Sequence, residues 1–520
     1  MWSRGARFTV ARTLGTSLAA ATIAGAMGAS KGRVGLISLG CPKNLVDSEI
    51  MLGRLRERGF ELVDDVEQAS TVIVNTCGFI DEAKQESIDT ILEVAARKGA
   101  GLDRLLVAGC MVNRYRAELQ QEIPEIDGFV GLDDLLEVPE LLDASGGPAI
   151  TPSLVPLTSL GAPSQQASHR VFDHTAPRLL TTRGYAYLKV AEGCNNPCTF
   201  CAIPKWRGRF RSRTIESLVA EARALESQGL VELCLLAQDT TRYGEDLGYG
   251  RHGLLRLVEA LLEATAVPWI RFLYAYPTTL DPELFELMGS EPRLASYLDM
   301  PLQHSHPDLL RAMRRGGRAS TYLRLLERAR EAVPDVFLRT TFIVGFPGEQ
   351  KEHFEHLLEF VERARFDHLG AFVYSPEPGT PSAELAARPP RRAAIARRRE
   401  LLARQESIAL ERRRRLVGSV LPMLIEGACE ESEHLLQARH QGMAPEVDGR
   451  VLINDVLVEG GGLPPAGSFA EVEITEAYAD DLVGRILALR GRRGEEVVQP
   501  GASERAGALR EREDAVVRSL

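Results

Sequence analysis

The pattern of apolar and polar positions divides the chain into two regions of alternating strands and helices, followed by a region of strands alone. From Arg33 to about Leu142, short apolar runs alternate with stretches whose apolar residues recur at helical spacing. This alternation predicts a small doubly wound α/β sheet across residues 31–143. The predicted parallel strands are Val34–Leu39, Thr71–Asn75 and Leu105–Ala108, and the predicted helices are Leu45–Arg58 and Ile80–Arg97.

The same alternation returns between residues 179 and 385. Six βα units predict a partial (βα)6 barrel, whose functional residues belong at the carboxyl ends of the strands. Helical spacing is clear at Ile215–Gln228 and Glu352–Ala364. The predicted strands are Tyr185–Val190, Val231–Ala237, Ile270–Ala275, Tyr297–Met300, Phe337–Val344 and His368–Val373.

The remaining segments differ in composition. Residues 144–178 hold many Ser, Pro, Gly and Ala and predict a linker. Arg388–Arg415 predicts a connecting helix, within residues 386–415, that carries eleven Arg against three Glu. It is either a solvated helix or a weak contact for RNA phosphates. Residues 416–490 predict a small antiparallel β-barrel, and residues 491–520 a charged, disordered tail. The predicted barrel strands are Ser419–Glu426, Gly449–Ile453, Val456–Glu459, Ala470–Ala477 and Leu482–Leu489.

Residues 1–30 have the look of a secretory signal, since Arg4, Arg7 and Arg12 precede a stretch of small and apolar residues. The alternative is a disordered extension or translation from an upstream start codon. We favour this alternative because export would place thiolate-rich sites in an oxidising space. No apolar run is long enough to span a bilayer securely. We therefore expect a cytoplasmic protein without a membrane partner.

Composition and charge narrow the class of protein. The 520 residues are 44% hydrophobic and 26% charged, as in ordinary globular proteins, and the net charge is −10. This charge argues against a surface built throughout for nucleic acid, although a local basic patch remains compatible with it. The eight cysteines are too sparse for a disulfide scaffold. They are Cys41, Cys77, Cys110, Cys194, Cys198, Cys201, Cys234 and Cys429.

Cys194, Cys198 and Cys201 have the spacing C-x3-C-x2-C on a loop just after a predicted strand. Three thiolates leave one iron of a [4Fe–4S] cluster without a protein ligand. A structural zinc site usually has four protein ligands, and no fourth partner is nearby in the sequence. The spacing therefore favours an iron–sulfur cluster.

Cys41, Cys77 and Cys110 each follow a predicted strand by one or two residues, at intervals of 36 and 33. The carboxyl ends of neighbouring parallel strands share one edge of a sheet, so these three thiols should converge. A single buried cysteine is more often a small core hydrophobe. Three cysteines in matched positions favour a second metal site. Cys234, within an apolar strand, and Cys429, in an acidic stretch, have no such partners.

The three-cysteine motif resembles that of the radical S-adenosylmethionine (SAM) superfamily. The resemblance implies that the open iron binds the amino and carboxylate groups of SAM. The reduced cluster then generates a 5′-deoxyadenosyl radical. Polar residues at other strand ends fit such a site but equally fit helix capping. They are Gln238, Asp239, Gln303, His304, Glu349 and Glu377.

Two three-cysteine sites in this order resemble the radical SAM methylthiotransferase family, which combines a cluster domain, a radical domain and a C-terminal TRAM barrel. The resemblance covers roughly Arg33 to Leu489. Gly40–Glu49 and Asn75–Ser87 resemble the branch that modifies ribosomal protein S-twelve (uS12). The tRNA-modifying branch typically has Gln-Met-Asn after the first cysteine.

This resemblance implies that a methylthio group is added to the β-carbon of an aspartate of uS12, either free or in the small subunit. It implies two [4Fe–4S] clusters, one held by Cys194, Cys198 and Cys201 that binds SAM, and an auxiliary cluster held by Cys41, Cys77 and Cys110. It also implies an electron donor and a sulfur source. It assigns no catalytic residue beyond the cluster ligands.

Two other functions remain open. A tRNA adenosine methylthiotransferase would use the same chemistry, but residues 416–490 hold thirteen Asp and Glu against four Arg, whereas an RNA-binding barrel should be basic. A non-catalytic electron-transfer protein would normally ligate its clusters fully, and both sites here are one cysteine short.

Overall fold

The computed structural model describes residues 31–143, 172–429, 432–457 and 463–490. The chain forms two compact units, Met1–Gln405 and Glu406–Leu520. The expectations for residues 1–30, for residues 144–171 of the linker and for the tail after residue 490 lie outside the described residues.

The first unit begins with a sheet of five parallel strands, as the doubly wound prediction requires. The three predicted strands and both predicted helices are present within a few residues of their expected ends. The elements are β1 Arg33–Ser38, α1 Pro42–Glu57, β2 Glu61–Leu62, β3 Thr71–Thr76, α2 Asp81–Ala95, β4 Arg104–Gly109, α3 Val112–Glu122, β5 Gly128–Val130 and α4 Val138–Asp143. The strand order is β2-β1-β3-β4-β5, and every residue of the central strand β3 is buried.

A partial (βα)6 barrel follows in the same unit, which confirms the predicted fold class. Its elements are β6 Tyr185–Lys189, β7 Ala191–Glu192, α5 Ile203–Trp206, β8 Arg211–Ser212, α6 Ile215–Glu226, β9 Glu232–Leu236, α7 Gly253–Ala264, β10 Trp269–Phe272, α8 Glu283–Ser290, β11 Tyr297–Gln303, α9 Pro307–Ala312, α10 Ala319–Ala332, β12 Phe337–Val344, α11 Lys351–Ala364 and β13 His368–Val373. Six of the strands form two parallel sheets, β6-β9-β10 and β11-β12-β13. The backbone N–H of Ala275 donates to the carbonyl of Asp299 (2.9 Å) and links the two sheets.

The Arg271–Glu232 ion pair is fully buried inside this barrel. Arg271 on β10 and Glu232 on β9 have no exposed side-chain surface, and the Arg271 Nε donates to the Glu232 carboxylate. Removing one partner of a buried pair leaves a buried charge without its counter-ion.

We expect Glu232→Ala to lower the free energy of unfolding by about 3–5 kcal/mol, because Arg271 would stay buried without its carboxylate. Urea denaturation followed by circular dichroism measures the change. Glu355→Ala is the matched control: it breaks the exposed Lys351–Glu355 pair on α11 and should leave the free energy of unfolding nearly unchanged. Equal losses in the two variants would contradict the expectation.

The arginine-rich stretch forms helix α12, Arg391–Arg414. Its first part packs on the barrel through its arginines. Arg397 pairs with Glu349 (2.8 Å), Arg398 donates to the carbonyl of Ala371 (2.9 Å), and Arg404 pairs with Glu362. These arginines serve the packing of the helix.

No helix among the described residues is both long and apolar enough to cross a bilayer.

The second unit contains a closed five-stranded barrel, as predicted. Its strands are β14 Val420–Cys429, β15 Ser432–Arg439, β16 Val451–Val456, β17 Phe469–Ala477 and β18 Leu482–Arg490, in the order β14-β15-β16-β18-β17. The sequence prediction missed β15. The separate strand predicted at Val456–Glu459 is wrong at its start, because Val456 ends β16, and residues 458–462 lie outside the described part of the chain.

One pairing in this barrel, β16 with β18, is parallel, and the other four are antiparallel. A closed ring with an odd number of strands cannot alternate direction throughout, so at least one parallel pair is required.

All four arginines of the barrel pair with barrel carboxylates, which leaves an excess of acid. The pairs are Arg439–Glu426, Arg450–Asp481, Arg485–Glu473 and Arg490–Glu471.

Candidate functional site

The structure brings Cys41, Cys77 and Cys110 together at the carboxyl edge of the N-terminal sheet. They follow the adjacent strands β1, β3 and β4. Cys77 and Cys110 are buried, and Cys41 is partly exposed. Burial raises the pKa of the Cys77 thiol, and negative charge on Cys41 and Cys110 raises it further. The three thiols therefore lie close enough to act on one another electrostatically.

Glycines directly before two of these cysteines allow the close approach. Gly40 and Gly109 have φ angles of +92° and +93°, which residues with a side chain rarely adopt. A Cβ atom on Gly40 would lie 3.0 Å from the Cys77 sulfur, and one on Gly109 would lie 2.7 Å from the carbonyl oxygen of Thr76. The chain can turn into the thiol group only because both positions lack a side chain.

The second thiol group lies on the loop between β7 and α5. The backbone N–H of Cys201 donates to the carbonyl of Cys198 (3.2 Å), and that of Asn196 donates to the Cys194 sulfur (3.4 Å). Burial raises the pKa of Cys201 to about 12, and negative charge on Cys198 and Cys194 adds to the effect. The three thiols of this loop therefore lie close enough to act on one another electrostatically.

Both thiol groups have the donor chemistry of an iron–sulfur site. Thiolates are the ligands that such clusters use. Buried thiols with raised pKa values need a nearby positive charge to ionise, and a bound metal supplies it. Three thiolates per group leave one iron open to another ligand.

Arg207, which follows α5, connects the barrel to the first thiol group. Its side chain is buried and donates to the Cys110 sulfur (3.3 Å) and to Asn44 Oδ1 (2.8 Å). It also pairs with Asp47 (3.2 Å) and Glu192 (3.0 Å). A residue six positions after Cys201 therefore contacts a cysteine of the other group.

Lys189 completes this buried network at the end of β6. Its ammonium pairs with Glu192 (3.0 Å) and with Asp47. Burial acts to raise the pKa of Glu192, but Arg207 and Lys189 outweigh it and lower the pKa. Two cations and two carboxylates thus balance one another between the N-terminal sheet and the barrel.

A second set of ion pairs joins the same two regions. Glu377 lies beyond β13 and is buried, and it pairs with Lys84 on α2 (2.9 Å) and with Arg114 on α3. The Arg114 guanidinium also stacks on the ring of Trp206, 4.9 Å from its centroid. Glu377, which the sequence left open between a site and a packing role, therefore has a packing role here.

The other strand-end candidates also have internal partners. Asp239 accepts from Asn196 Nδ2 (2.7 Å) and from Thr241 Oγ1 (2.6 Å), which supports the cysteine loop. Gln238 donates to Glu192 (2.8 Å), and Glu349 accepts from the backbone N–H of Gly345 (2.5 Å).

Gln303 ends β11 with a φ of +71°, and His304 is fully buried, its Nδ1 accepting from the backbone N–H of His306 (3.0 Å). Cys234 is buried within β9, and the sulfur of Cys429 accepts from Arg450 (3.5 Å). Neither cysteine belongs to a group of three.

Three family profiles match consecutive parts of the chain. They are the uncharacterized protein family UPF0004 over residues 33–131, the radical SAM superfamily over residues 188–361 and the TRAM domain over residues 417–487. The chain is 46% identical over 460 residues to the ribosomal protein uS12 methylthiotransferase RimO of Solibacter usitatus, covering 88% of this chain and 95% of the relative. The protein of the same name from Geobacter sulfurreducens is 43% identical, covering 89% of this chain and all of the relative.

The chain belongs to the RimO family. RimO proteins are radical SAM methylthiotransferases, so this chain is a transferase that uses SAM and a [4Fe–4S] cluster. Among solved structures, the methyltransferase TsrM from Kitasatospora setae aligns with 68% of this chain and 74% of its own, at a TM-score of 0.49 and 16% identity. Membership of the RimO family therefore rests on the sequence relatives.

Proposed function

We propose that this chain replaces a hydrogen on the β-carbon of an aspartate of ribosomal protein uS12 with a methylthio group. The proposal rests on one observation above all: the chain forms two groups of three thiols, and the buried side chain of Arg207, six residues after Cys201, contacts Cys110 of the other group. The names of the relatives supply the substrate.

In this proposal Cys194, Cys198 and Cys201 hold the cluster that binds SAM, and Cys41, Cys77 and Cys110 hold an auxiliary [4Fe–4S] cluster. When bound, the cluster held by Cys194, Cys198 and Cys201 would supply the radical chemistry. The auxiliary cluster would carry the sulfur that is transferred. Arg207 donates a hydrogen bond to the Cys110 sulfur, and such bonds help to set the reduction potential of a cluster. Arg315 donates a similar hydrogen bond to the Cys198 sulfur (3.7 Å).

The acidic barrel suits a protein substrate. With its four arginines already paired, it keeps an excess of carboxylates, and ribosomal proteins are generally basic. Opposite charges steer encounter, and their effect weakens with salt. The reaction also needs an electron donor and a sulfur source. We place it in the cytoplasm because thiolate-ligated clusters suit a reducing compartment.

The test is to incubate the anaerobically reconstituted, reduced enzyme with SAM and either purified uS12 or isopentenylated tRNA. We expect uS12 to gain the mass of one methylthio group and the tRNA to gain none. Mass spectrometry of the intact protein and of the digested tRNA measures both outcomes. A gain on the tRNA alone would refute the proposal.

The same reaction at rising salt concentration checks the role of charge. We expect the KM for uS12 to increase between low and physiological ionic strength, because screening weakens attraction between exposed charges. As the control, uS12 in which the target aspartate is replaced by asparagine should gain no methylthio group.

A further inference from the structure

Three histidines of the barrel pack against one another and belong to neither thiol group. His306 lies just beyond β11, directly before α9, and His353 and His356 lie one turn apart at the start of α11. The ring centroid of His306 is 4.2 Å from that of His353 and 5.1 Å from that of His356. The proposed reaction uses none of these three side chains.

A carboxylate joins this group of imidazoles. One ring nitrogen each of His306 and His353 and one carboxylate oxygen of Asp308 lie within 4.8 Å of one another. The ligand atoms of a tetrahedral zinc ion are about 3.3 Å apart, given metal–nitrogen bonds of about 2.0–2.1 Å. Rotation of the side chains can close this difference, because Asp308 is exposed and both histidines are partly exposed.

The charges of the group also suit a cation. Two imidazolium ions would repel each other at the distance between the His306 and His353 rings, so the packed rings favour the neutral form, which is the form that binds metals. Asp308 Oδ1 pairs with Arg311 (2.9 Å), whereas Asp308 Oδ2 lies 4.0 Å from His306 Nδ1. The carboxylate therefore has an oxygen on the side of the imidazoles.

The hydrogen bonds that a metal would replace are long. His306 Nδ1 accepts from the backbone N–H of Asp308 (3.3 Å), and His353 Nδ1 accepts from that of Gln350 (3.2 Å). The usual range for such bonds is about 2.7–3.2 Å. Both N–H groups lie at helix starts on exposed residues, so water can satisfy them when the ring nitrogens bind a metal.

We propose that His306, Asp308 and His353 form a binding site for a divalent transition metal of the zinc class. Two imidazoles and one carboxylate are a ligand set that Zn²⁺ uses, whereas Mg²⁺ and Ca²⁺ prefer oxygen ligands alone. The bound ion connects the segment after β11 to the start of α11. His356 lies beside the site, with its Nδ1 2.9 Å from the Ser305 hydroxyl, which orients its ring.

A second group of possible ligands provides an internal comparison. His252, Asp281 and Glu283 also have ligand atoms within 4.8 Å of one another. This group offers a single imidazole, and its Nδ1 already pairs with Asp281 at 2.7 Å. The group around His306 offers two imidazoles and only long hydrogen bonds to replace, so we assign the metal there.

The test uses the anaerobically reconstituted enzyme, whose thiol groups are occupied by iron. The protein is dialysed against buffered Zn²⁺, and zinc and iron are measured together by mass spectrometry. We expect the wild type to bind zinc without losing iron. His306→Gln and His353→Gln should each weaken zinc binding by at least about 10-fold, since even residues that only support a metal ligand have effects of that size.

Controls distinguish a lost ligand from a damaged fold. Iron content and circular dichroism should be the same in the variants as in the wild type. Asp308→Asn changes an exposed side chain and is the second variant if a histidine variant is unstable. His252→Gln is the matched control and should bind zinc as the wild type does.

Zinc should also raise the thermal midpoint of the wild type and leave that of His353→Gln unchanged, because a ligand that binds only the folded state stabilises it. The proposal is wrong if the wild type binds no zinc at micromolar concentration, or if both histidine variants bind it equally well. Zinc gained with an equal loss of iron would place it on the thiols, and zinc lost in His252→Gln alone would place it at the second group. Either result would overturn the assignment, and none of these measurements requires uS12.

Discussion

Replacing Cys41, Cys77 and Cys110 together with alanine is expected to abolish methylthiolation of uS12 while leaving cleavage of SAM intact. The three thiols lie at one sheet edge, apart from the loop that carries the other cysteine group. The variant should therefore lose one four-iron cluster and keep about four of about eight iron atoms. Iron analysis, 5′-deoxyadenosine production and the mass of uS12 measure the three quantities.

Cys429→Ala is the matched control for this variant. Cys429 is also buried, but it lies on β14 of the C-terminal barrel and contacts Arg450. It should keep its full iron content and its activity. If the triple variant also kept all of its iron, the assignment of the auxiliary ligands would be wrong.

The convergence of Cys41, Cys77 and Cys110 could be predicted because it depends only on a local pattern repeated three times. Each cysteine follows an apolar run, and parallel strands place their carboxyl ends at the same edge. The prediction does not depend on how far apart the three apolar runs lie along the chain. The strands of the barrel could be predicted for the same reason, since each is a short apolar run before a helical segment.

The network around Arg207 could not be predicted in this way. Arg207 and Asp47 are 160 residues apart, and nothing in the sequence near either one points to the other. The only available signal was the position of Lys43 and Asn44, two and three residues after Cys41, where the sequence resembles the uS12-modifying branch. That signal marked the segment without assigning a role to either side chain.

The missed strand β15 has a different cause. Its hairpin with β14 contains two shifts in register, between Ile425 and Gly427 and between Ala428 and Cys429. A bulge adds a residue to one strand and breaks the alternation of inward and outward positions. The predicted strand therefore ends at Glu426, and the pattern predicts no strand over Ser432–Arg439.

Replacing Cys194, Cys198 and Cys201 together with alanine is expected to abolish both SAM cleavage and methylthiolation. The loop between β7 and α5 brings these three thiols together, and radical formation depends on the cluster that we assign to them. About half of the iron should remain, held by the other cysteine group. The same three measurements as for the first variant apply.

The two triple variants together test whether the thiol groups are independent. Cys234→Ala is the matched control for the second variant, since Cys234 lies in β9 of the same barrel, apart from the cysteine loop. It should keep cleavage and full iron content. Arg207 contacts Cys110 from the barrel side, so a small change in the auxiliary spectrum of the second variant is compatible with our assignment. Complete loss of iron would contradict it, because each group would then need the other to hold its cluster.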